Sequence, residues 1–371
     1  MLATFEVENF RNFDGKFILD LSQSNGYEFN KECVKNGIVN KAVVYGYNGT
    51  GKSNLGFAIF DIVSHATDKK TSSAYYENYL YAGKKCTLAK FKYHLKLKNG
   101  EVLYEYGKES FEKIIFEKIE INGKLFASID RNISSSIEIN AKGAENTKKD
   151  IGDSQISVVA YIKNNVILDE DKDNECFKEF IEFVEGMLFF RSLNGNDYIG
   201  YEQGRTEIGR DIIEKGKIKE FESFIQNSGI DMKIVAAEND DKKYLAVNFD
   251  GKRIPFFEIA SQGTKSLVLF YYWLLRITAE DSKVSFVFID EFDAFYHHDL
   301  SIKIIEILKR ANAQVVLTTH NTTVMTNDLL RPDCYFFLQH NGIKSLSQRT
   351  RKELRLAHNI EKMYRAGAFD E

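Results

Sequence analysis

The densest chemistry in the chain lies in Gly46-Tyr47-Asn48-Gly49-Thr50-Gly51-Lys52-Ser53. Glycines let a backbone wrap closely around phosphate oxygens, the first N–H groups of a following helix favour negative charge, and a lysine adds a point charge. The stretch sits between the apolar Ala42-Val43-Val44-Tyr45 and the helix-like Asn54-Leu55-Gly56-Phe57-Ala58-Ile59-Phe60. That is the strand, glycine loop, helix order of a phosphate-binding P-loop. It predicts a nucleotide site in which Gly46, Asn48, Gly49, Thr50, Gly51, Lys52, Ser53 and Asn54 hold the phosphates and Ser53 is a Mg²⁺ ligand.

Three further stretches could complete such a site. Ile289-Asp290-Glu291 ends an apolar run, where an Asp can hold the Mg²⁺ shell and the next residue can orient and deprotonate a water. Alone, two acids at a strand end are commonly just solvated; beside a P-loop they read as catalytic. Thr318-Thr319-His320 follows the next buried run, and that strand order would set His320 beside Glu291. A strand-end histidine by itself is more often an ordinary surface residue. Ser261-Gln262-Gly263-Thr264-Lys265 leads into an apolar helix, so it is either a second phosphate-binding helix end or a plain N-cap. Asp290, Glu291, Asp293, His297, His298 and Asp299 also form a metal-friendly group, for which a separate nuclease site is the lesser reading.

The elements that must position these residues alternate between helix and strand. Residues 265–279 are apolar all round and predict a buried helix; 284–289, 314–318 and 335–338 predict buried strands, with an amphipathic helix at 302–309. This alternation predicts a parallel sheet with its ligand crevice at the carboxyl ends of the strands. Residues 2–21 read as a hairpin leading to the P-loop strand, and 64–70 as a loop. Residues 90–98 alternate strictly, Asn99-Gly100 reads as a type I′ turn, and a second hairpin turns at Asn122-Gly123, giving an antiparallel meander from Cys86 to Ile139. Helical spacing predicts a helix over 174–190 and another over 212–226, interrupted by Gly216; 233–249 read as a further hairpin.

Composition sets outer bounds. The chain has 371 residues, 43% of them hydrophobic, enough for a substantial core. Lys+Arg of 50 against Asp+Glu of 54 gives a net charge of -4, so nucleic-acid binding would need a local patch. Lys90, Lys92, Lys96 and Lys98, on one strand face, are the candidate patch, with a solvated face as the blander alternative. Cys33, Cys86, Cys176 and Cys334 lack paired spacing, which argues against a disulfide framework or a zinc site and fits a reducing cytoplasm. The first residues lack the pattern of a secretory leader, and no apolar stretch approaches the ~20 residues that span a bilayer. The expectation is a soluble cytoplasmic protein without membrane contact.

Taken in order, the Gly46–Ser53 loop, Ser261-Gln262-Gly263, Ile289-Asp290-Glu291 and His320 resemble the Walker A, signature, Walker B and switch-histidine motifs of ABC-type ATPases. The soluble RecF/SMC-like branch fits best. Val7-Glu8-Asn9-Phe10-Arg11-Asn12-Phe13 resembles that branch's N-terminal strand and turn, which adds Arg11 and Asn12 to the nucleotide-binding set. Ile360 to Phe369 resembles the end of small bacterial members encoded in phage-defence operons. The resemblance implies an α/β P-loop NTPase fold, an ABC-type ATPase head with a mixed sheet, built from residues 1–70 and 255–371. Residues 71–254 would be an inserted antiparallel β meander plus a helical subdomain.

It also implies ATP and Mg²⁺ as cofactors, Ser53 and Asp290 as metal ligands, and Lys52, Glu291 and His320 as catalytic residues. ATP would be sandwiched between two heads, with Ser261 and Gly263 supplied by a second copy, hence a homodimer or higher homo-oligomer through the ATP sites. The family's Q-loop glutamine is not identifiable, since Gln155 follows the meander, and the usual proline after the catalytic acid is replaced by Phe292. No sustained heptads mark the long coiled coil of a chromosome-organising ATPase. The expected function is a dimerising ATP-hydrolysing switch in bacterial antiviral defence, acting with a separate effector protein. Two alternatives stay open: a RecF-like repair ATPase whose meander binds nucleic acid, and an ATP-gated scaffold with little turnover.

Overall fold

The computed structural model describes residues 1–69, 71–192, 197–201, 208–239, 242–294, 298–340 and 342–370. Strands β1 (Leu2–Glu8) and β2 (Phe17–Asp20) form the expected hairpin. After the short pair β3 (Val34–Lys35) and β4 (Ile38–Val39), the fully buried β5 (Lys41–Tyr45) runs into the glycine loop and helix α1 (Lys52–Phe60). A short helix, α2 (Val63–Ala66), runs into the segment expected as a loop; Thr67 Oγ1 closes it by donating to the Val63 carbonyl oxygen at 2.7 Å.

The meander follows as β6 (Ala89–Lys96), β7 (Glu101–Ser110), β8 (Lys113–Ile121), β9 (Lys124–Asp130) and β10 (Glu138–Ile139). Its period-2 alternation buries Phe91, Tyr93, Leu95, Val102, Tyr104, Tyr106, Ile119 and Ile121 on one face. Asn122 and Gly123 have φ of 51° and 75°, as a type I′ turn demands. Asn99 and Gly100 have no positive φ, so the first turn is not type I′ as expected. Glu179 accounts for the difference: its carboxylate accepts from the Asn99 backbone N–H at 3.0 Å and side-chain amide at 2.7 Å.

Helices α3 (Val158–Asn165) and α4 (Lys172–Glu185) come next. The single helix expected over 174–190 is therefore two elements, because Gly186 caps α4 and the chain continues as strand β11 (Met187–Arg191). Met187-Leu188-Phe189-Phe190 is apolar at every position, a pattern shared by buried helices and buried strands. Sheet partners on both sides decide it: β12 (Asp197–Gly200) on one edge and the strand ending in Asp290 on the other. Helices α5 (Ile208–Glu214) and α6 (Ile218–Asn227) part around Gly216, whose φ is 65°. Then follow a small sheet of β13 (Ile234–Asn239), β14 (Lys242–Phe249) and β15 (Lys252–Pro255), and helices α7 (Phe256–Ile259) and α8 (Gln262–Ile277). The chain ends its fold with β16 (Phe286–Asp290), α9 (His298–Lys309), β17 (Gln314–Thr319), β18 (Tyr335–Gln339), β19 (Gly342–Ser345) and α10 (Ile360–Arg365).

The central sheet has the order β12-β11-β16-β17-β5-β18-β19. Its five inner strands are parallel and its two edges antiparallel, so it is the mixed sheet expected. The second sheet, β10-β9-β8-β7-β6-β1-β2, joins the meander to the N-terminal hairpin. Helix α1 lies between them. At Gly56 a Cβ would come within 2.6 Å of Phe189 and 2.9 Å of Phe288 on the central sheet, so only glycine allows this approach. From the other sheet, the Tyr93 hydroxyl donates to the Ala58 and Ile59 carbonyl oxygens at 3.1 and 3.2 Å.

The lysine stripe on β6 is matched across strands. Lys90 and Lys92 pair in register with Glu8 and Glu6 of β1, and Lys92 and Lys96 reach Glu105 and Glu101 of β7 at 3.8 and 3.7 Å. Among the described residues no helix is long and apolar enough to cross a membrane.

Candidate functional site

Three parallel strands, β5, β16 and β17, deliver their carboxyl ends to one place. From β5 the glycine loop turns into α1 with Gly49 and Gly51 at φ of 81° and 106°, conformations that L side chains resist. Lys52 Nζ donates to the Gly46 carbonyl oxygen at 2.7 Å and lies 3.1 Å from Glu291 Oε1. Ser53 Oγ donates to Asp290 Oδ2 at 2.5 Å. The second oxygen of Glu291, Oε2, meets His320 Nδ1 at 3.0 Å. A cavity of about 270 Å³ opens here, lined by Tyr47, Asn48, Gly49, Gly51, Lys52, Ser53, Asn54 and Glu291.

Thr318 braces the acidic pair. Its hydroxyl donates to Asp290 Oδ1 at 2.8 Å and accepts from the Glu291 backbone N–H at 2.8 Å. Glu291 needs that support, because its φ of 48° is left-handed for a residue with a Cβ, the kind of local strain stored at functional sites. Thr319 likewise donates to Asp293 Oδ1 at 2.7 Å. Sequence reasoning used these threonines only to place His320 and missed their bracing role.

Arg11 and Asn12 stand behind the loop rather than in the cavity lining. Asn12 Nδ2 donates to the Thr50 carbonyl oxygen at 3.2 Å, and its Oδ1 accepts from Asn54 Nδ2 at 2.6 Å. A Cβ at Gly51 would meet Asn12 Nδ2 at 2.4 Å, so the two residues fit only as they are. Arg11 donates to Asn54 Oδ1 at 2.9 Å and stacks on Phe57 at 4.2 Å. Ser261 caps α8, its Oγ accepting from the Thr264 backbone N–H at 3.1 Å; neither Ser261 nor Gly263 lines the cavity of its own chain. Of the metal-friendly group, His297 lies outside the described residues, and among those described no three His, Cys, Asp or Glu side chains come together as a metal cluster.

With this geometry in place, the comparisons with known proteins are decisive on family. Residues 41–326 match the AAA_21 family, described as AAA domain, putative AbiEii toxin, Type IV TA system. The chain belongs to this family. No curated protein matches it. Among solved structures, the SMC head domain from Thermotoga maritima is 13% identical with a TM-score of 0.43, covering 92% of this chain and 97% of that one. The recombination mediator protein RecF is 14% identical with a TM-score of 0.43, covering 94% and 98%. An Smc head domain bound to the C-terminal domain of ScpA, derived from Pyrococcus furiosus, is 12% identical with a TM-score of 0.46, covering 94% and 97%. The AAA_21 match agrees with the ATPase family expected from the motifs of the sequence.

The donor set of the AAA_21 site fits a nucleotide with Mg²⁺. Mg²⁺ takes hard oxygen ligands and is usually held by one or two protein groups plus phosphates. The touching Ser53 hydroxyl and Asp290 carboxylate are two such oxygens beside a loop open to phosphate. Burial holds the Asp290 carboxyl above its ordinary value, against the opposing hydrogen bonds from Ser53 and Thr318. Burial likewise raises Asp293, against the hydrogen bond from Thr319.

Proposed function

We propose that this chain is a Mg²⁺-dependent ATPase that dimerises through its nucleotide sites and works as a switch. One observation carries the reading: Lys52, Ser53, Asp290, Glu291 and His320, from three separate stretches, form a continuous polar series beside one cavity. Bound at Ser53 and Asp290, Mg²⁺ would supply positive charge against the phosphate oxygens. Lys52 adds a second cation. Glu291 Oε2 accepts the proton of the attacking water, while His320 on that oxygen and Lys52 on the other hold the carboxylate in orientation.

Ser261 and Gly263 sit at a helix start outside their own chain's cavity, a disposition that suits service in a second copy's site. The family's description as a putative toxin of a toxin–antitoxin system supports a role in bacterial defence alongside a separate protein. We assign the head to residues 1–70 and 255–371 and the partner-reading part to 71–254, apart from β11 and β12, which complete the central sheet. The repair alternative loses support, because the glutamates of β1 and β7 offset the lysine stripe that would meet nucleic acid.

Titration with a fluorescent ATP analogue tests the reading. Wild type should bind with Mg²⁺ and Lys52→Ala should not; equal binding by both would overturn the assignment of the site.

A further inference from the structure

Tyr45 closes β5 and directly precedes Gly46, the first residue of the glycine loop. Its in-register neighbour on β17 is Thr319, so both side chains leave the sheet on one face. Thr319 donates to Asp293 Oδ1 at 2.7 Å, which brings that carboxylate to the same face, three residues beyond Asp290. Two buried groups there are complementary and unpaired. Among the described residues nothing hydrogen-bonds the Tyr45 hydroxyl or Asp293 Oδ2, although Tyr45 is only 2% and Asp293 only 8% exposed. The Asn321 side chain steadies the Asp293 carboxylate, yet Oδ2 stays unpaired.

Unpaired buried polar groups are costly and rare, so a fold that keeps a donor and an acceptor of this kind on one face calls for a reason. Packing fixes the direction of the phenol. Its ring stacks on Phe337 at 5.7 Å and 22°, and Phe337 stacks on Tyr364 at 4.7 Å and 26°. The neighbouring Tyr335, whose ring lies 6.2 Å away, shows the usual outcome, with its hydroxyl bonded to the Val324 and Thr326 carbonyl oxygens at 3.1 and 2.6 Å. Burial holds the Tyr45 hydroxyl well above its ordinary value, with Tyr335 and Asp293 adding to the rise, so it keeps the proton it has to donate. We propose that phosphate binding in the glycine loop closes a hydrogen bond from Tyr45 Oη to Asp293 Oδ2, making these two the positioning residues that lock the loop to the Asp290–Glu291 segment. The assignment rests on the nucleotide-site reading above. Lys52 is the trigger: its Nζ donates to the Gly46 carbonyl oxygen at 2.7 Å, and turning to a phosphate frees the residue next to Tyr45.

The alternative is a purely structural phenol, already satisfied by a buried water. Calorimetric titration of the full chain with Mg²⁺ and a slowly hydrolysed ATP analogue, beside urea unfolding without nucleotide, separates the two. Tyr45→Phe removes one oxygen, and Asp293→Asn turns the acceptor into a donor while keeping an oxygen for Thr319. Each should raise the analogue's Kd about tenfold, the scale of a hydrogen bond to a charged group. Without nucleotide, Tyr45→Phe should leave the unfolding midpoint unchanged or higher, since the hydroxyl it deletes is unpaired there. The double variant should lose no more affinity than either single one, because both break the same bond.

If Asp293→Asn does not fold, Tyr45→Phe alone decides. A Kd within about twofold of wild type in either variant, losses that multiply in the double variant, or a nucleotide-free midpoint that falls in Tyr45→Phe would each overturn the assignment. A wild-type chain that does not bind the analogue would instead overturn the nucleotide-site reading itself.

Discussion

Helix α1 meets a lysine–carboxylate pair at each end. At its start Lys52 lies 3.1 Å from Glu291; just past its end Asp61 lies 2.9 Å from Lys108. The first pair borders a cavity, contains a residue at φ of 48°, and shares one carboxylate oxygen with the exposed His320. The second has both side chains fully buried, and Asp61 also accepts from the Tyr79 and Tyr106 hydroxyls at 2.9 Å each. Burial pushes the Lys108 ammonium down and the Tyr79 and Tyr106 hydroxyls up, which keeps both phenols as donors to Asp61. The closed network has an occupant for every group and ties α1 to the meander. The first pair, by contrast, opens onto the cavity beside the glycine loop. One end of the helix is anchored so that the other can respond.

The sharpest way to break that comparison is to make the same substitution at both ends. Lys108→Met leaves Asp61 charged and buried, and should cost about 3–5 kcal/mol in urea unfolding. Lys52→Met should change stability by less than about 1 kcal/mol while abolishing nucleotide binding, because Glu291 opens onto a cavity and keeps His320. Comparable destabilisation at both ends would dissolve the distinction. Tyr106→Phe removes only one of the donors to Asp61 and should cost about 1–3 kcal/mol.

A third buried lysine sharpens the contrast. Lys41, at the start of β5, donates to the Ala311 and Ala313 carbonyl oxygens at 3.0 and 2.6 Å, and burial pushes its pKa down to about 7. The unfolded lysine titrates near ~10.4, so as pH falls from there towards about 7 the unfolded chain takes the proton first and stability drops. Relative to Lys41→Met, wild type should therefore lose stability between about pH 8.5 and about pH 7. The smallest effect belongs to the exposed pairs: Lys92→Ala or Lys96→Ala should shift stability by no more than about 0.5 kcal/mol. Neither change should alter DNA retention at low salt.

What could be read from the sequence followed from how local each signal is. The P-loop announces itself because glycines, lysine and serine sit at fixed spacing between a strand and a helix. Asp290, Glu291 and His320 are legible because each closes a buried run. Strand β11 was hidden because Met187 to Phe190, apolar throughout, extends the pattern of α4, and only the hydrogen bonds to β12 and β16 make it a strand. The Asp61–Lys108 pair joins the end of α1 to β7 across the intervening α2 and β6, so no period in the sequence names the partners. The β6 lysines look like a stripe along one strand, yet their counter-charges Glu6, Glu8 and Glu105 lie on β1 and β7. The Asn99-Gly100 turn was misread for the same reason, since Glu179 of α4 reaches it from a distant element.

The most direct measurement of the central claim is the fate of ATP on Glu291→Gln. The substitution keeps the side chain's shape beside Lys52 and His320 but removes the proton acceptor. ATP should bind with wild-type affinity, phosphate release should fall by about 10²–10⁴-fold, and the particle mass with ATP should double and stay doubled. Hydrolysis at the wild-type rate, or a mass unchanged by ATP, would contradict the account.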